Sequence, residues 1–264
     1  MGKLDGQVAV VTGSGRGIGK AAAMLFVREG ASVVVNDIDA AVCEESAREI
    51  NQAFPGKAVS CVADITKPEE AQKLMDTAAE KFGKLDILVN NAGITRDALI
   101  HKMTDAQWDV CVNISLKGAF NCIRAASKYM RKANHNGKIV NVSSVSGLTG
   151  NIGQINYSSA KAGLVGLTRE VAREWAVYGI RCNAVAYGVV DTRLTREKET
   201  GEVVAGEPVG IPKRIREAMV AAMGGKILTP EEAVKPILFL VSEDSNFITG
   251  NVLNISGGAY IGAA

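Results

Sequence analysis

The stretch "VVTGSGRGIGK", Val10–Lys20, places four glycines in seven positions directly after an apolar run. Three phosphate-binding patterns compete for it. A P-loop needs G-x-x-x-x-G-K-[ST], but counting back from Gly19-Lys20 puts Ser14 at the first glycine, and Ala21 supplies no hydroxyl for a magnesium ion. The spacing G-x-G-x-x-G started at Gly13 meets Ile18 instead of its last glycine. The looser T-G-x-x-x-G-x-G fits without a gap through Thr12, Gly13, Gly17 and Gly19. Residues without Cβ let the main chain approach a pyrophosphate, whose charge rests on the N–H groups opening the next helix. A glycine-rich turn can also bind nothing, so the surrounding chain has to decide.

Short apolar runs alternate with longer helical patterns over the whole 264 residues. "QVAVVT", "ASVVVND", "KAVSCVAD", "LDILVNNAG", "GKIVNVSS", "IRCNAVA" and "NVLNIS" read as strands. Between them lie helical patterns with the expected punctuation, such as proline in the first turn and a closing glycine in "KPEEAQKLMDTAAEKFG". One long helix is predicted from Asp105 to about Lys132 and another from about Tyr157 to Tyr178. The alternation predicts an α/β fold, a doubly wound parallel sheet of seven strands with helices on both faces, in a single domain over residues 1–264. The segment Thr195–Arg214 carries two prolines and three glycines after strand six and reads as an irregular substrate lid.

Composition excludes several function classes. Apolar residues make up 47% of the chain, enough for a sizeable core, and the net charge is +2 without a long run of one sign. Nucleic acid and membrane surfaces are therefore not expected partners. No apolar leader precedes the first strand and no stretch is long enough to span a bilayer, so a cytoplasmic protein is expected. Five widely spaced cysteines, Cys43, Cys61, Cys111, Cys122 and Cys182, read as reduced thiols, and two distant histidines, His101 and His135, give no metal-ligand spacing.

Asp37 ends the second strand, eighteen residues after Gly19. An acid there accepts hydrogen bonds from ribose hydroxyls and repels a 2′-phosphate, which favours NAD over NADP. Arg16 argues the other way, since a guanidinium can pair with that phosphate. A second constellation lies in "NVSSVSGLTGNIGQINYSSAKAG", where Tyr157 and Lys161 are four apart on one helical face. A free phenol has a pKa of about 10. A neighbouring ammonium and a helix N-terminus both favour phenolate, so a lowered pKa is expected. Tyr157 can then take the proton of an alcohol as hydride leaves the same carbon, with Ser144 hydrogen-bonding the oxygen. A bare Y-x-x-x-K also occurs by chance on helix surfaces; its position after a strand-ending serine pair, in a chain opening with a dinucleotide turn, favours the chemical reading.

Taken in order, "TGSGRGIG", Asp37, "ADI" at Ala63–Ile65, "NNAG" at Asn90–Gly93, "VNISLKGAF" with Asn113, Ser144, "YSSAK" and "NISGG" resemble the short-chain dehydrogenase/reductase family over essentially the whole chain. The resemblance implies a Rossmann-type fold and a tetrad of Asn113, Ser144, Tyr157 and Lys161, with Asn113 holding a water near Lys161 in a proton relay. It implies dinucleotide contacts from Gly13, Arg16, Gly17, Ile18 and Gly19 at the turn, and from Asp64 and Ile65 at the adenine. Asn91, Ala92 and Gly93 would lie along the cofactor, Lys161 and Tyr157 at the nicotinamide ribose, and Val190 and Thr192 at the nicotinamide end. It also implies a homotetramer. One departure is Tyr187 in "AYGVVDTRL", where the family usually has proline; this tyrosine either lines the substrate pocket or packs in the core.

The stretch "NNAGITRDALIHKMTDAQWD" is similar to the 3-oxoacyl-[acyl carrier protein] reductase branch and its acyl-CoA relatives. Two features pull away from carrier-protein substrates. Asp37 suits NAD and oxidation, and His135 and Tyr178 stand where that branch has basic docking residues. The resulting expectation is an NAD-dependent dehydrogenase of a 3-hydroxyacyl-CoA thioester, with room for a bulky or cyclic acyl group. Two alternatives are a dehydrogenase of a free secondary alcohol, sugar or steroid, and a catalytically silent dinucleotide-binding scaffold.

Overall fold

The fold follows from strands that are buried on both sides. A computed structural model describes residues 2–131, 136–204 and 206–262. Its first strand, β1 (Val8–Val11), is buried at every position. Successive side chains enter opposite cores: Ala9 and Val11 join one apolar cluster, Val8 and Val10 the other. A continuous apolar run with a two-residue period is what a central parallel strand requires, because helices cover both its faces.

The chain continues through α1 (Gly17–Arg28), β2 (Ser32–Asp37), α2 (Ala40–Ala53), β3 (Ala58–Val62), α3 (Pro68–Phe82) and β4 (Ile87–Asn90). Next come α4 (Asp105–Val112), α5 (Gly118–Met130), β5 (Lys138–Ser144), a single turn α6 (Ser146–Thr149), α7 (Ile155–Trp175) and β6 (Arg181–Tyr187). A two-stranded antiparallel hairpin, β7 (Val203–Val204) and β8 (Glu207–Pro208), precedes α8 (Lys213–Ala222), α9 (Pro230–Val241) and β9 (Val252–Ile255). Seven strands form one parallel sheet in the order β3-β2-β1-β4-β5-β6-β9, which bears out the predicted fold class. Phe26 of α1, Ile50 of α2 and Ile237 of α9 fill one core; Leu74 of α3, Ile123 of α5 and Trp175 of α7 fill the other.

Local signals explain several helix ends. Pro68 opens α3, and Gly83 closes it in the left-handed conformation with φ 83°. Thr104 with Gln107 and Thr229 with Glu232 form capping boxes at α4 and α9. Two predicted elements come out differently. The long helix begun at Asp105 is interrupted by a π-helical turn, Asn113–Lys117, before resuming as α5, and Lys132 lies outside the described residues. The segment read as irregular contains a 3₁₀ turn (Lys198–Thr200), the hairpin and the start of α8. Its order comes from contacts distant in sequence. Arg96 Nη2 donates to the Val204 carbonyl at 2.8 Å, and Arg216 Nε donates to the Thr195 carbonyl at 3.0 Å.

The five cysteines are all buried and none is in a disulfide. Among the described residues no helix is long and apolar enough to cross a membrane.

Candidate active site

β1 pairs with β2 on one side and β4 on the other, so the chain runs outward in both directions from the middle of the sheet. The connections therefore diverge beyond the carboxyl ends of β1 and β4 and leave a crevice between them. The glycine turn forms one wall. Its Ser14 is fully buried, receives a hydrogen bond from Asn36 N at 3.0 Å and donates to the Val11 carbonyl at 2.6 Å. Thr12 ties this wall to the next strand, its hydroxyl accepting from the backbone N–H of Asn91 (3.0 Å) and Ala92 (3.1 Å). Asn91 Nδ2 returns bonds to the Thr12 and Gly13 carbonyls, both at 3.0 Å.

Gly13 has φ 60°, and a Cβ there would lie 2.9 Å from Ala92 Cα, so only glycine fits between the two walls. Gly19 serves differently. A Cβ at Gly19 would meet the Gly13 carbonyl oxygen at 2.4 Å, and Gly19 is not on the crevice wall. It lets α1 pack against the turn from behind.

The remaining predicted residues converge. Gly13, Arg16, Gly17 and Ile18 line one cleft of about 990 Å³ together with Asp37, Asp64 and Ile65. The same cleft is lined by Asn91, Ala92, Gly93, Val190 and Thr192, and by Asn113, Ser144, Tyr157 and Lys161. At one end Asp37 accepts a bond from Asp39 N at 3.1 Å, while Arg16 pairs with Asp39 at 3.1 Å. Asp64 accepts from the backbone and hydroxyl of Thr66 at 3.0 and 2.7 Å, which orients its carboxylate.

At the other end, Ser144 closes β5 and Tyr157 and Lys161 stand in the first turns of α7. The Ser143 hydroxyl donates to the Lys161 carbonyl at 2.8 Å, fastening α7 to β5. Asn156 Nδ2 donates to the carbonyls of Arg96 and Gln107, both at 2.8 Å, fixing the start of the helix. Asn113 opens the π-helical turn, an irregularity often found at functional sites.

The electrostatics differ from the expectation of a lowered phenol pKa. Burial pushes Tyr157 up to about 12, against a lowering hydrogen bond from Ser144. Lys161 is pulled down to about 8, also chiefly by burial. Its ammonium donates to the Val142 carbonyl at 2.7 Å and lies 5.5 Å from the Tyr157 ring centroid. Desolvation dominates both shifts, and the Tyr157 phenol is held neutral at pH 7.

Tyr187 does both things its position allowed. Its ring is buried in the core and its hydroxyl donates to the Ala233 carbonyl on α9, and the residue also lines the cleft beside Gly188 and Val189. Sequence reading missed Asp97, Gln154 and Arg193, which also line the cleft. Gln154 Nε2 donates to Asp97 at 3.0 Å, and burial raises the Asp97 pKa. The position of Gln154, three residues before Tyr157 on the same helical approach, is the one local signal for this pair.

With this geometry the comparisons agree. The sequence model described as short chain dehydrogenase matches residues 7–203. The chain belongs to the short-chain dehydrogenase family. It is therefore an oxidoreductase of a family that binds a nicotinamide dinucleotide. The chain is 40% identical to a 3-oxoacyl-[acyl-carrier-protein] reductase of Thermotoga maritima, over 98% of this chain and 100% of that protein. It is 38% identical to the (2S)-[(R)-hydroxy(phenyl)methyl]succinyl-CoA dehydrogenase subunit BbsD of Thauera aromatica, over 97% of each chain. To a (3R)-3-hydroxyacyl-CoA dehydrogenase of Mus musculus it is 34% identical over 98% of each chain.

The buried lysine has a measurable signature. Its folded pKa of about 8 lies below the ordinary lysine value of 10.5, so the folded state binds its proton less tightly than the unfolded state does. This contribution to stability is present above pH 10.5 and is lost as pH falls through 8. Lys161→Met removes it. In denaturant unfolding, the stability of the parent relative to Lys161→Met is expected to rise between pH 8 and 10.5. A difference independent of pH over that range contradicts the assignment.

Proposed function

We propose that this chain is an NAD-dependent dehydrogenase of a 3-hydroxyacyl thioester, with the thioester carried by coenzyme A. The observation that carries the reading is the single cleft that joins Asp37 and the glycine turn to Ser144, Tyr157 and Lys161. Residues 1–264 work as one dinucleotide-binding and catalytic domain, and Thr195–Arg214 covers the acyl group. Val204 and Ile211 of that segment and Met219 of α8 line the cleft, which supports an apolar acyl site with room for a bulky group. The curated relatives acting on 3-oxoacyl and hydroxyacyl thioesters support the substrate class.

Asp37 and Asp64 would hold the adenosine end, the α1 N-terminus the phosphates, and Asn91, Ala92, Gly93, Val190 and Thr192 the nicotinamide half. When bound, the dinucleotide supplies a ring carbon that exchanges a hydride with the substrate carbon. Ser144 donates a hydrogen bond to the substrate oxygen and holds it beside Tyr157. In reduction, the neutral Tyr157 phenol gives its proton to the carbonyl oxygen. In oxidation, Tyr157 first gives its proton to the Lys161 relay; the resulting phenolate, stabilised by the Lys161 ammonium, takes the hydroxyl proton as hydride leaves the substrate carbon and is returned to the phenol. Asn113, at the π-helical turn, positions a water that returns protons through Lys161.

A carrier-protein thioester is the second reading. Arg131 stacks 4.7 Å from the centroid of the Tyr178 ring and donates to its hydroxyl at 2.6 Å, which puts a cation where a basic docking residue seemed missing. His135, the other such position, lies outside the described residues. Exposed Trp108 and Phe120 on α4 and α5 support assembly with further copies of the chain, in this reading as a cytoplasmic homotetramer.

Tyr157→Phe keeps the ring and removes the proton donor. Its turnover is expected to fall by about 10²–10⁴-fold, while NADH titrates as in the parent. Turnover close to the parent's removes Tyr157 from the chemistry. Asp37→Ser removes the charge facing a 2′-phosphate. The ratio of kcat/KM with NADP to that with NAD is expected to rise about tenfold, worth ~1.4 kcal/mol; a parent already preferring NADP refutes the NAD reading. For the substrate, binding energy from the remote carrier positions the reacting carbon. A 3-hydroxyacyl-CoA should therefore exceed its free acid in both kcat and kcat/KM. Equal kcat/KM for ester and acid promotes the free-alcohol alternative, and a large preference for the carrier-protein ester promotes the second reading.

A further inference from the structure

Arg193 follows Thr192, whose side chain packs over the first residue of α1: its Cγ2 lies 3.5 Å from the place a Cβ on Gly17 would take. Arg193 lines the cleft, its side chain is 32% exposed, and its Nε lies 3.4 Å from Glu202 Oε1 at the base of the hairpin. The Glu202 carbonyl accepts from Val209 N at 2.9 Å, so this carboxylate is carried by the hairpin itself. The guanidinium feels the charges of Arg16, Asp37 and Asp39 across the cleft, and burial followed by Arg16 lowers its pKa. Arg16, the residue preceding α1, makes no side-chain capping bond, and no acidic residue stands in the first turn of that helix.

Two guanidinium-bearing residues therefore line the same cleft beside the start of α1, which has no side-chain cap. Their mutual repulsion turns into attraction when an anion lies between them. Arg16 already has Asp39 as partner at 3.1 Å. Arg193 has a longer contact, 3.4 Å to Glu202 beside the hairpin. A phosphate is the ligand that this charge and donor geometry suits, because guanidinium forms paired charge-assisted bonds with phosphate oxygens.

We propose that Arg193 clamps the pyrophosphate of the bound dinucleotide and that Glu202 competes with the phosphate for it. The inference rests on the dinucleotide reading above, and concerns binding independently of the acyl substrate. Dinucleotide binding then exchanges one anionic partner of Arg193 for another, which links occupancy of the cofactor cleft to the position of the hairpin.

Equilibrium titration by calorimetry with NADH, ADP-ribose and NADPH tests this on the full chain. Arg193→Ala should weaken NADH and ADP-ribose alike by about ten- to a hundredfold, the worth of a hydrogen bond to a charged group. Arg193→Lys should recover part of the loss. Glu202→Gln should tighten both ligands severalfold, a change of sign that a merely structural ion pair would not produce. Unchanged NADH binding by Arg193→Ala overturns the proposal. So does a loss confined to NADPH, which would assign Arg193 to the 2′-phosphate, or a weakening by Glu202→Gln equal to that of Arg193→Ala. A parent that binds none of the three ligands overturns the dinucleotide reading and this inference together. Failure to oxidise hydroxyacyl-CoA esters while NADH binding follows the pattern leaves the inference standing and removes only the substrate class.

Discussion

The crevice at the carboxyl ends of β1 and β4 is kept open and in register by one side chain. Thr12 sits at the end of a fully buried strand and uses its hydroxyl to accept the N–H groups of Asn91 and Ala92. Those two groups would otherwise lack a partner where the strands separate, and an unmade buried hydrogen bond costs about 1–3 kcal/mol. Asn91 answers by capping the carbonyls of Thr12 and Gly13. The glycine turn, the Asn-Asn-Ala-Gly segment and the start of α1 are thereby fixed relative to one another. Everything placed along the cleft depends on that lock.

The opposite end of the cleft is arranged around desolvation. Lys161 is buried and Tyr157 half-buried, and desolvation drives each toward its neutral form, the phenol up to about 12 and the lysine down to about 8. A buried ammonium is a cost to the fold that the Val142 carbonyl offsets only in part. Such costs are tolerated where the group has chemistry to perform, since a lysine poised near neutrality can exchange protons that an exposed lysine would hold. The spacing of the two residues predicted their shared face correctly and the direction of the phenol's shift wrongly. Spacing carries no information about how much water the surrounding helices exclude.

The segment Thr195–Arg214 illustrates the same division. Its prolines and glycines suggested irregular backbone, yet it holds a 3₁₀ turn, a hairpin and the start of a helix. Buried Arg96, from the loop after β4, reaches the Val204 carbonyl and lies 3.4 Å from Glu207. That contact spans 108 residues of chain and has no local signature. The interruption of the helix at Asn113–Lys117 is of the same kind. Gly118, just beyond it, lies where an added Cβ would come within 2.7 Å of Ile65 Cδ1, so the helix there runs tightly against the segment after β3.

By itself the sequence determined the strand and helix alternation, the parallel sheet, the glycine turn and the two clusters of residues that line the cleft. These are legible because they rest on short-range physics: two-residue and 3.6-residue periods, caps, and glycine where a side chain cannot fit. Only the tertiary structure decided that Gly19 packs behind the turn, that Tyr187 turns its hydroxyl to Ala233, and that Asp97, Gln154 and Arg193 join the cleft. It also decided the sign of the Tyr157 shift. Each of these depends on which distant elements close over a residue. Burial and charge proximity are properties of three-dimensional neighbours, and no local pattern in the chain encodes them.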